Sequence, residues 1–228
     1  MTGRTKKRAE SPWYGKAGRA RDGRLPGVTR RQWILGAGLL QAADAWQTLF
    51  DGKSLTGWKE TAFPRKGAVS VAEGRILLGA GAPLTGITYA GTFPRTNYEV
   101  RYEAMRVAGG DFFASLTFPV GDSFATFVLG GWGGDIIGVS SIDGWNASEN
   151  ETRNYFTFED GKWYPIRVAV APERIECWIG AERVVNVGIA GRQITMRPGD
   201  IERSAPLGIA SYNTTGAVRQ IEYRTVTR

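Results

Sequence analysis

From Trp46 to the C-terminus, hydrophobic and polar positions alternate with a period of two and are broken by turn residues. In NYEVRYEAMRV, Tyr98, Val100, Tyr102 and Ala104 fall on one face and Glu99, Arg101 and Glu103 on the other. Only an extended chain sorts its side chains that way. Comparable runs are WQTLF, VSVAEGRILLG, ITYAGTF, FFASLTF, SFATFVLGG, DIIGVSSID, NYFTF, WYPIRVAVA, RIECWIG, RVVNVGI, LGIASYN and VRQIEYRTV. VSVAEGRILLG reads as a hairpin turning at Glu73-Gly74. Helical periodicity and strand-helix-strand alternation are both missing from this region. Roughly a dozen short strands with such punctuation predict an all-β fold, an antiparallel two-sheet jelly-roll sandwich, as one domain over residues 46–228.

Charge changes the picture upstream. The chain of 228 residues carries a formal net charge of +7, which by itself points to nucleic acid or an anionic surface. Residues 1–45, however, hold ten Lys/Arg against Glu10, Asp22 and Asp44. Subtracting these from the totals of 29 and 22 leaves 19 basic and 19 acidic residues in the rest. The β-rich part is neutral, so a nucleic-acid partner is not expected.

Residues 1–28 are rich in Arg, Lys and Gly with few aliphatics, a composition that predicts a disordered basic extension. Residues 29–45 begin TRRQWIL, continue into the short apolar run GAGLLQAADA and end on Ala43-x-Ala45. This pattern resembles a twin-arginine export signal with a small-x-small cleavage site. It predicts a mature protein starting near Trp46, in the periplasm or outside the cell. An apolar run of about a dozen residues is too short for a stable membrane span, which takes roughly 20.

The residue inventory limits the chemistry. Histidine does not occur in the chain, which removes Ser-His-Asp and Cys-His catalysis and zinc motifs built on imidazole. The one cysteine, Cys177, lies on the same strand face as Ile175 and Ile179 and reads as core. Carboxylates, Arg, Lys, Tyr, backbone dipoles or a hard cation remain available. GGWGG at 130–134 lacks the Lys-Ser/Thr ending of a phosphate loop. The Glu-x-Asp-x-Glu strand of sandwich glucanases is also missing, which argues against a conventional retaining glycosidase.

The segment WYPIRVAVAPERIECWIGAERVVNV, three strands joined at Pro172-Glu173 and Gly180-Ala181, resembles the signature stretch of concanavalin A-like and laminin-G-like sandwiches. LFDGKSLTGW, VSVAEGRILLG, PLTGITYAGTFPRTNYEVRYEAMR and the strand WYPIRV together are similar to the 3-keto-disaccharide hydrolase domain family. The resemblance covers Trp46 to the C-terminus. It implies a concanavalin A-like sandwich, export, and an exported enzyme that cleaves 3-keto-glycosides or 3-keto-disaccharides. A non-catalytic carbohydrate-binding module on the same fold is the alternative. Many family members have a Gly-Asn-Ser-Gly turn before an Arg-bearing strand. This chain has Gly109-Gly110-Asp111-Phe112-Phe113 and then Thr117-Phe118-Pro119. SSIDG aligns with the family's Asp-containing strand end, so the resemblance implies Asp143 as a catalytic residue.

A ketone at C3 acidifies the C2 proton and lets the group on C1 leave by elimination, with water adding afterwards. That path needs a base, a stabiliser for the enolate oxygen and an acid, none of which has to be imidazole. Asp143, Glu149 and Glu151 lie close together, with Trp145, Asn146 and Asn150 among them. Such a loop could hold a base over a stacked sugar, could bind a divalent cation, or could be a solvated Asx-rich turn. Glu103 and Arg101 are catalytic candidates if their strand face is concave; otherwise they form a ladder of surface ion pairs. Asp111, Asp122 and Asp135 flank turns beside FFASLTFPVG and GGWGG, and are candidate sugar contacts together with Trp132, Trp145, Asn146 and Glu151. The polar stretch AGRQITMRPGDIERSAP is long enough to form a rim.

Overall fold

A computed structural model describes residues 45–227. The basic extension and the twin-arginine segment, apart from Ala45, lie outside the described residues. The strands in chain order are β1 (Gln47–Thr48), β2 (Trp58–Glu60), β3 (Val69–Ala72), β4 (Arg75–Leu78), β5 (Leu84–Tyr89), β6 (Tyr98–Ala108), β7 (Ser115–Val120) and β8 (Ser123–Gly131). They continue as β9 (Ile136–Ser140), β10 (Asn154–Tyr155), β11 (Tyr164–Ala171), β12 (Arg174–Ile179), β13 (Glu182–Gly188), β14 (Gly208–Tyr212) and β15 (Thr215–Thr225). A 3₁₀ helix, Asp200–Ser204, is the one helical element among the described residues.

The strands form two antiparallel sheets. The back sheet has the order β13-β12-β11-β6-β15-β4-β3 with β1 added on β15, and the front sheet has the order β10-β9-β8-β7-β14-β5-β2. This is the jelly-roll sandwich the alternation predicts. Two strands are shorter than their sequence runs: NYFTF keeps only Asn154–Tyr155 in the ladder, and WQTLF only Gln47–Thr48.

The two inner faces meet in one apolar core. Val100, Tyr102, Val168, Ile175 and Cys177 of the back sheet are buried with Leu116, Phe118, Phe127, Leu129 and Val139 of the front sheet. Tyr98 and Tyr102 bring hydroxyls into that core, and each must find an acceptor because an unpaired polar group there is costly. Tyr98 donates to the Pro119 carbonyl at 2.6 Å and Tyr102 to the Ala114 carbonyl at 2.7 Å. Both acceptors belong to the front-sheet side, so the pair ties β6 to the chain around β7.

The opening motif is a brace. Both Lys53 and Ser54 donate their backbone N–H to the Asp51 carboxylate at 2.8 Å, and the Trp58 indole donates to the Leu49 carbonyl at 2.8 Å. Glu73 and Gly74, with φ of +53° and +73°, make the two-residue turn between β3 and β4, as a tight hairpin of the twisted sheet requires.

Candidate functional site

The front sheet departs from simple alternation, because its outer face is also buried. Ser115 and Thr117 on β7, Thr126 on β8, Ser140 on β9 and Ala210 on β14 point away from the core and are nevertheless at most 5% exposed. The segment 189–207 covers part of this face as a strap and carries the 3₁₀ helix. Between strap and sheet lies a cavity of about 440 Å³, within the size range of small-ligand sites.

Its floor is built of hydroxyls and one apolar end. The Ser115 hydroxyl accepts the Leu129 N–H at 3.1 Å and the Ser140 hydroxyl accepts the Ala147 N–H at 2.7 Å. Each therefore keeps its own proton to donate elsewhere. At one end Leu84, Phe112, Ile201 and Tyr212 gather in a small apolar cluster, with the Phe112 and Tyr212 rings 5.5 Å apart. At the other side the GGWGG turn between β8 and β9 presents Trp132, 38% exposed, to the cavity. Trp132 has φ +51° and Gly133 and Gly134 have φ +102° and +108°, a run of left-handed backbone that explains the glycines. Arg106 fastens this turn from behind, donating to the Gly134 and Phe158 carbonyls at 3.3 and 2.6 Å and pairing with Asp160. From the strap, the Arg197 guanidinium lies 5.7 Å from the Trp132 ring centroid.

Two carboxyls line the cavity, Asp200, which pairs with Arg203 at 3.1 Å, and Asp111. Burial pushes the Asp111 pKa up from the ordinary Asp value, and backbone N–H groups of Phe112, Gly133 and Trp132 counter that in part. The Phe112 N–H lies 2.7 Å from its Oδ1. Among the described residues no Arg or Lys is paired with it. A carboxyl held by neutral dipoles rather than a cation takes up a proton more readily than a paired one.

Of the residues singled out from sequence, Asp111 and Trp132 line this cavity together, and the others do not line it. Glu103 pairs with Arg219 and Arg101 with Glu222 on the outer face of the back sheet, the far side of the sandwich, where Glu99 also joins Arg167 and Arg224. Trp46, Trp163 and Trp178 stack on these arginines. This is the ladder reading of that strand face. Asp122 sits exposed in the β7-β8 turn, and Asp135 is exposed after GGWGG.

The loop after β9 is internally bonded. Asp143 and Gly144 form a two-residue turn closed by reciprocal 2.9 Å backbone bonds between Ile142 and Trp145. The Arg192 side chain pairs with both Asp143 and Glu151. Asn146 donates to Glu149 and caps Ser148, and buried Asn150 bonds the Val139 and Trp145 carbonyls at 2.8 and 3.0 Å. Trp145 is 59% exposed. With its carboxylates turned to Arg192 and Asn146, this loop does not fit a divalent cation. Among the described residues no group of three or more Cys, Asp or Glu side chains could hold a metal ion.

Residues 45–227 match the model of the 3-keto-alpha-glucoside-1,2-lyase-like domain. The chain belongs to that family. Its fold is also similar to that of a β-1,3-1,4-glucanase (lichenase) derived from a mouse hindgut metagenome, at 9% identity and TM-score 0.52, covering 80% of this chain and 99% of that one. The Crh5 transglycosylase solved with NAG is similar at 9% identity and TM-score 0.55, covering 82% of this chain and 86% of that one. A search of curated proteins returns no significant match. The protein is thus a jelly-roll domain of the 3-keto-alpha-glucoside-1,2-lyase-like family.

Sequence reasoning placed Arg197 only within a rim-forming stretch, and missed Ser115, Thr126, Ser140 and Tyr212; all five line the cavity. Their signal was faint: Ser115, Thr117 and Thr126 are small polar residues facing away from the core in otherwise apolar runs, as a covered outer face would have them. Arg197 lies in an irregular loop, where no periodicity assigns a direction.

Proposed function

We propose that the protein is an exported enzyme that cleaves glycosides oxidised at C3, by elimination followed by hydration, in the cavity between Asp111, Trp132 and Arg197. The observation that carries this reading is the half-buried Asp111 carboxyl, raised in pKa and without a cationic partner, on a cavity wall in a chain of the lyase-like family.

In this mechanism the pyranose stacks on Trp132 and Asp111 takes the proton from C2. The C2–H electrons flow towards C3, and negative charge gathers on the C3 oxygen, where Arg197 and the free protons of Ser115 and Ser140 can stabilise it. Those electrons then return to form the C1–C2 double bond as the C1–O bond to the aglycone breaks. The departing oxygen receives the proton that Asp111 removed. Water then adds at C1 and a proton returns to C2, so the net change is hydrolysis. An acid that first takes and then gives one proton fits a carboxyl with a raised pKa.

Incubating the purified protein with 3-keto-trehalose and a 3-keto-glucoside, beside the unoxidised sugars, tests the reading. Release of sugar from the oxidised substrates alone supports it, together with loss of that release in Asp111→Asn. Measurable sugar binding without release from any substrate would instead establish a carbohydrate-binding module. Export by the twin-arginine route belongs to the same proposal. It predicts that changing Arg30 and Arg31 to Lys retains the precursor in the cytoplasm, and unaffected secretion would remove it.

A further inference from the structure

The strap that walls the cavity is bonded at both ends, and its middle meets the wall through Arg197 beside Trp132 and Ile201 in the apolar cluster. At its far end Arg203 donates to the Ala62 carbonyl at 3.2 Å, and Ser204 is fully buried. At its near end three kinds of contact converge on the hairpin turn after β9. Ser141 and Thr195 exchange backbone bonds of 2.6 and 3.1 Å, and Ile194 lies across from Ile142. The Asp143 N–H donates to the Gln193 carbonyl at 2.8 Å, and its carboxylate accepts the Gln193 N–H at 2.8 Å. The same carboxylate pairs with Arg192, whose other nitrogen reaches Glu151 at 2.7 Å. Between these anchors, Arg197, Pro198 and Gly199 are exposed.

We propose that Asp143 is a positioning residue that, through Arg192 and the Gln193 backbone, sets where the strap holds Arg197 over the Trp132 side of the cavity. The proposal rests on the functional reading of that cavity. The physical reason lies in the turn. Asp143 has φ +52° at the first position of a two-residue turn, a conformation Asp tolerates and most residues do not. The backbone therefore fixes the carboxylate, and the carboxylate fixes the chain opposite. Glu151 supplies a second hold on Arg192, so the strap cannot rotate about a single bond. From Gln193 to Arg197 is four residues, short enough for a shift at one end to be felt at the other.

The closing experiment compares wild type, Asp143→Asn, Arg192→Gln and Arg192→Lys in the full chain. Asn keeps the left-handed turn and an acceptor for Gln193 but loses the ion pair; Lys keeps charge without the two-armed fork. Backbone amide exchange is read at Gln193 to Asp200, and KM and kcat are read on a 3-keto-glucoside. The expected result in Arg192→Gln and Asp143→Asn is exchange about three- to tenfold faster in this segment, with KM raised by a similar factor and kcat within about twofold. Arg192→Lys should recover part of both. Unchanged exchange overturns the proposal, as does a collapse of kcat at unchanged KM, which would make Asp143 part of the chemistry. If wild type releases no sugar, the enzymatic reading fails. The exchange rates and the affinity of these variants for the keto-sugar, read by calorimetry, still decide the positioning role.

Discussion

The Asp111 carboxyl and the Trp132 ring line the same cavity, and the Trp132 backbone dipole is one of those that favour the ionised Asp111. Burial dominates the environment of Asp111 and raises its pKa above the ordinary value of 3.8. If the ionised carboxylate is the base, kcat/KM on a 3-keto-glycoside falls as pH drops through that raised pKa. Asp111→Asn should lower kcat by about 10²–10⁴-fold while the urea midpoint stays the same or rises, because no ion pair is lost. Retained turnover in that variant would transfer the proton-handling role to another group.

Trp132 offers a ring face rather than a bond. Trp132→Ala should raise KM for the oxidised sugar by about tenfold and change kcat far less, since stacking holds the substrate before and after the proton moves. Steady-state kinetics read the split; equal losses in kcat and kcat/KM would place the ring in the transition state.

Close packing of the sandwich sets a third expectation at Gly216 on β15. A Cβ there would lie 1.8 Å from the Phe113 carbonyl oxygen. Because the obstacle is backbone, Gly216→Ala should cost at least about 1–3 kcal/mol of stability. Urea unfolding measures it, and a loss under a few tenths of that would mean that Phe113 can move aside.

The hold on Asp143 gives a pH dependence. The Gln193 N–H, then Arg192, lower the Asp143 pKa below 3.8, and Arg192 lowers that of Glu151 below 4.5. A depressed folded pKa stabilises above the unfolded value and is lost as pH falls through the folded one. Wild type should therefore exceed Arg192→Gln in stability at about pH 6, and the gap should shrink as pH falls below these ordinary carboxylate values and through the lowered folded ones. Parallel urea titrations across that range would show it; a constant gap would rule out the ion pairs as its source.

Much of this molecule was legible in one dimension. The alternation of Tyr98, Val100, Tyr102 and Ala104 against Glu99, Arg101 and Glu103 fixes the inner face of β6, because successive side chains of a strand point to opposite faces and the apolar set takes the core side. Glu73-Gly74 marks the hairpin of β3 and β4, and LFDGKSLTGW carries an Asx turn and an indole brace that are local in sequence. The all-β sandwich and the family followed from such features. The cavity did not. Asp111 and Arg197 are far apart in the chain and come to one wall only because β7, β8 and β14 are neighbours in the front sheet with a strap laid over them.

Carboxylates near one another in sequence looked like the richest chemistry, yet tertiary contacts give Asp143 and Glu151 to Arg192, and Glu103 and Glu99 to arginines of neighbouring strands. Asp111 is distinguished by what it lacks, a cation, and by the burial that surrounds it. The sequence by itself determined which residues face the core, because that depends on period and turn chemistry. Only the tertiary structure decided which carboxyl stays unpaired beside a cavity, because pairing and desolvation are properties of neighbours in space.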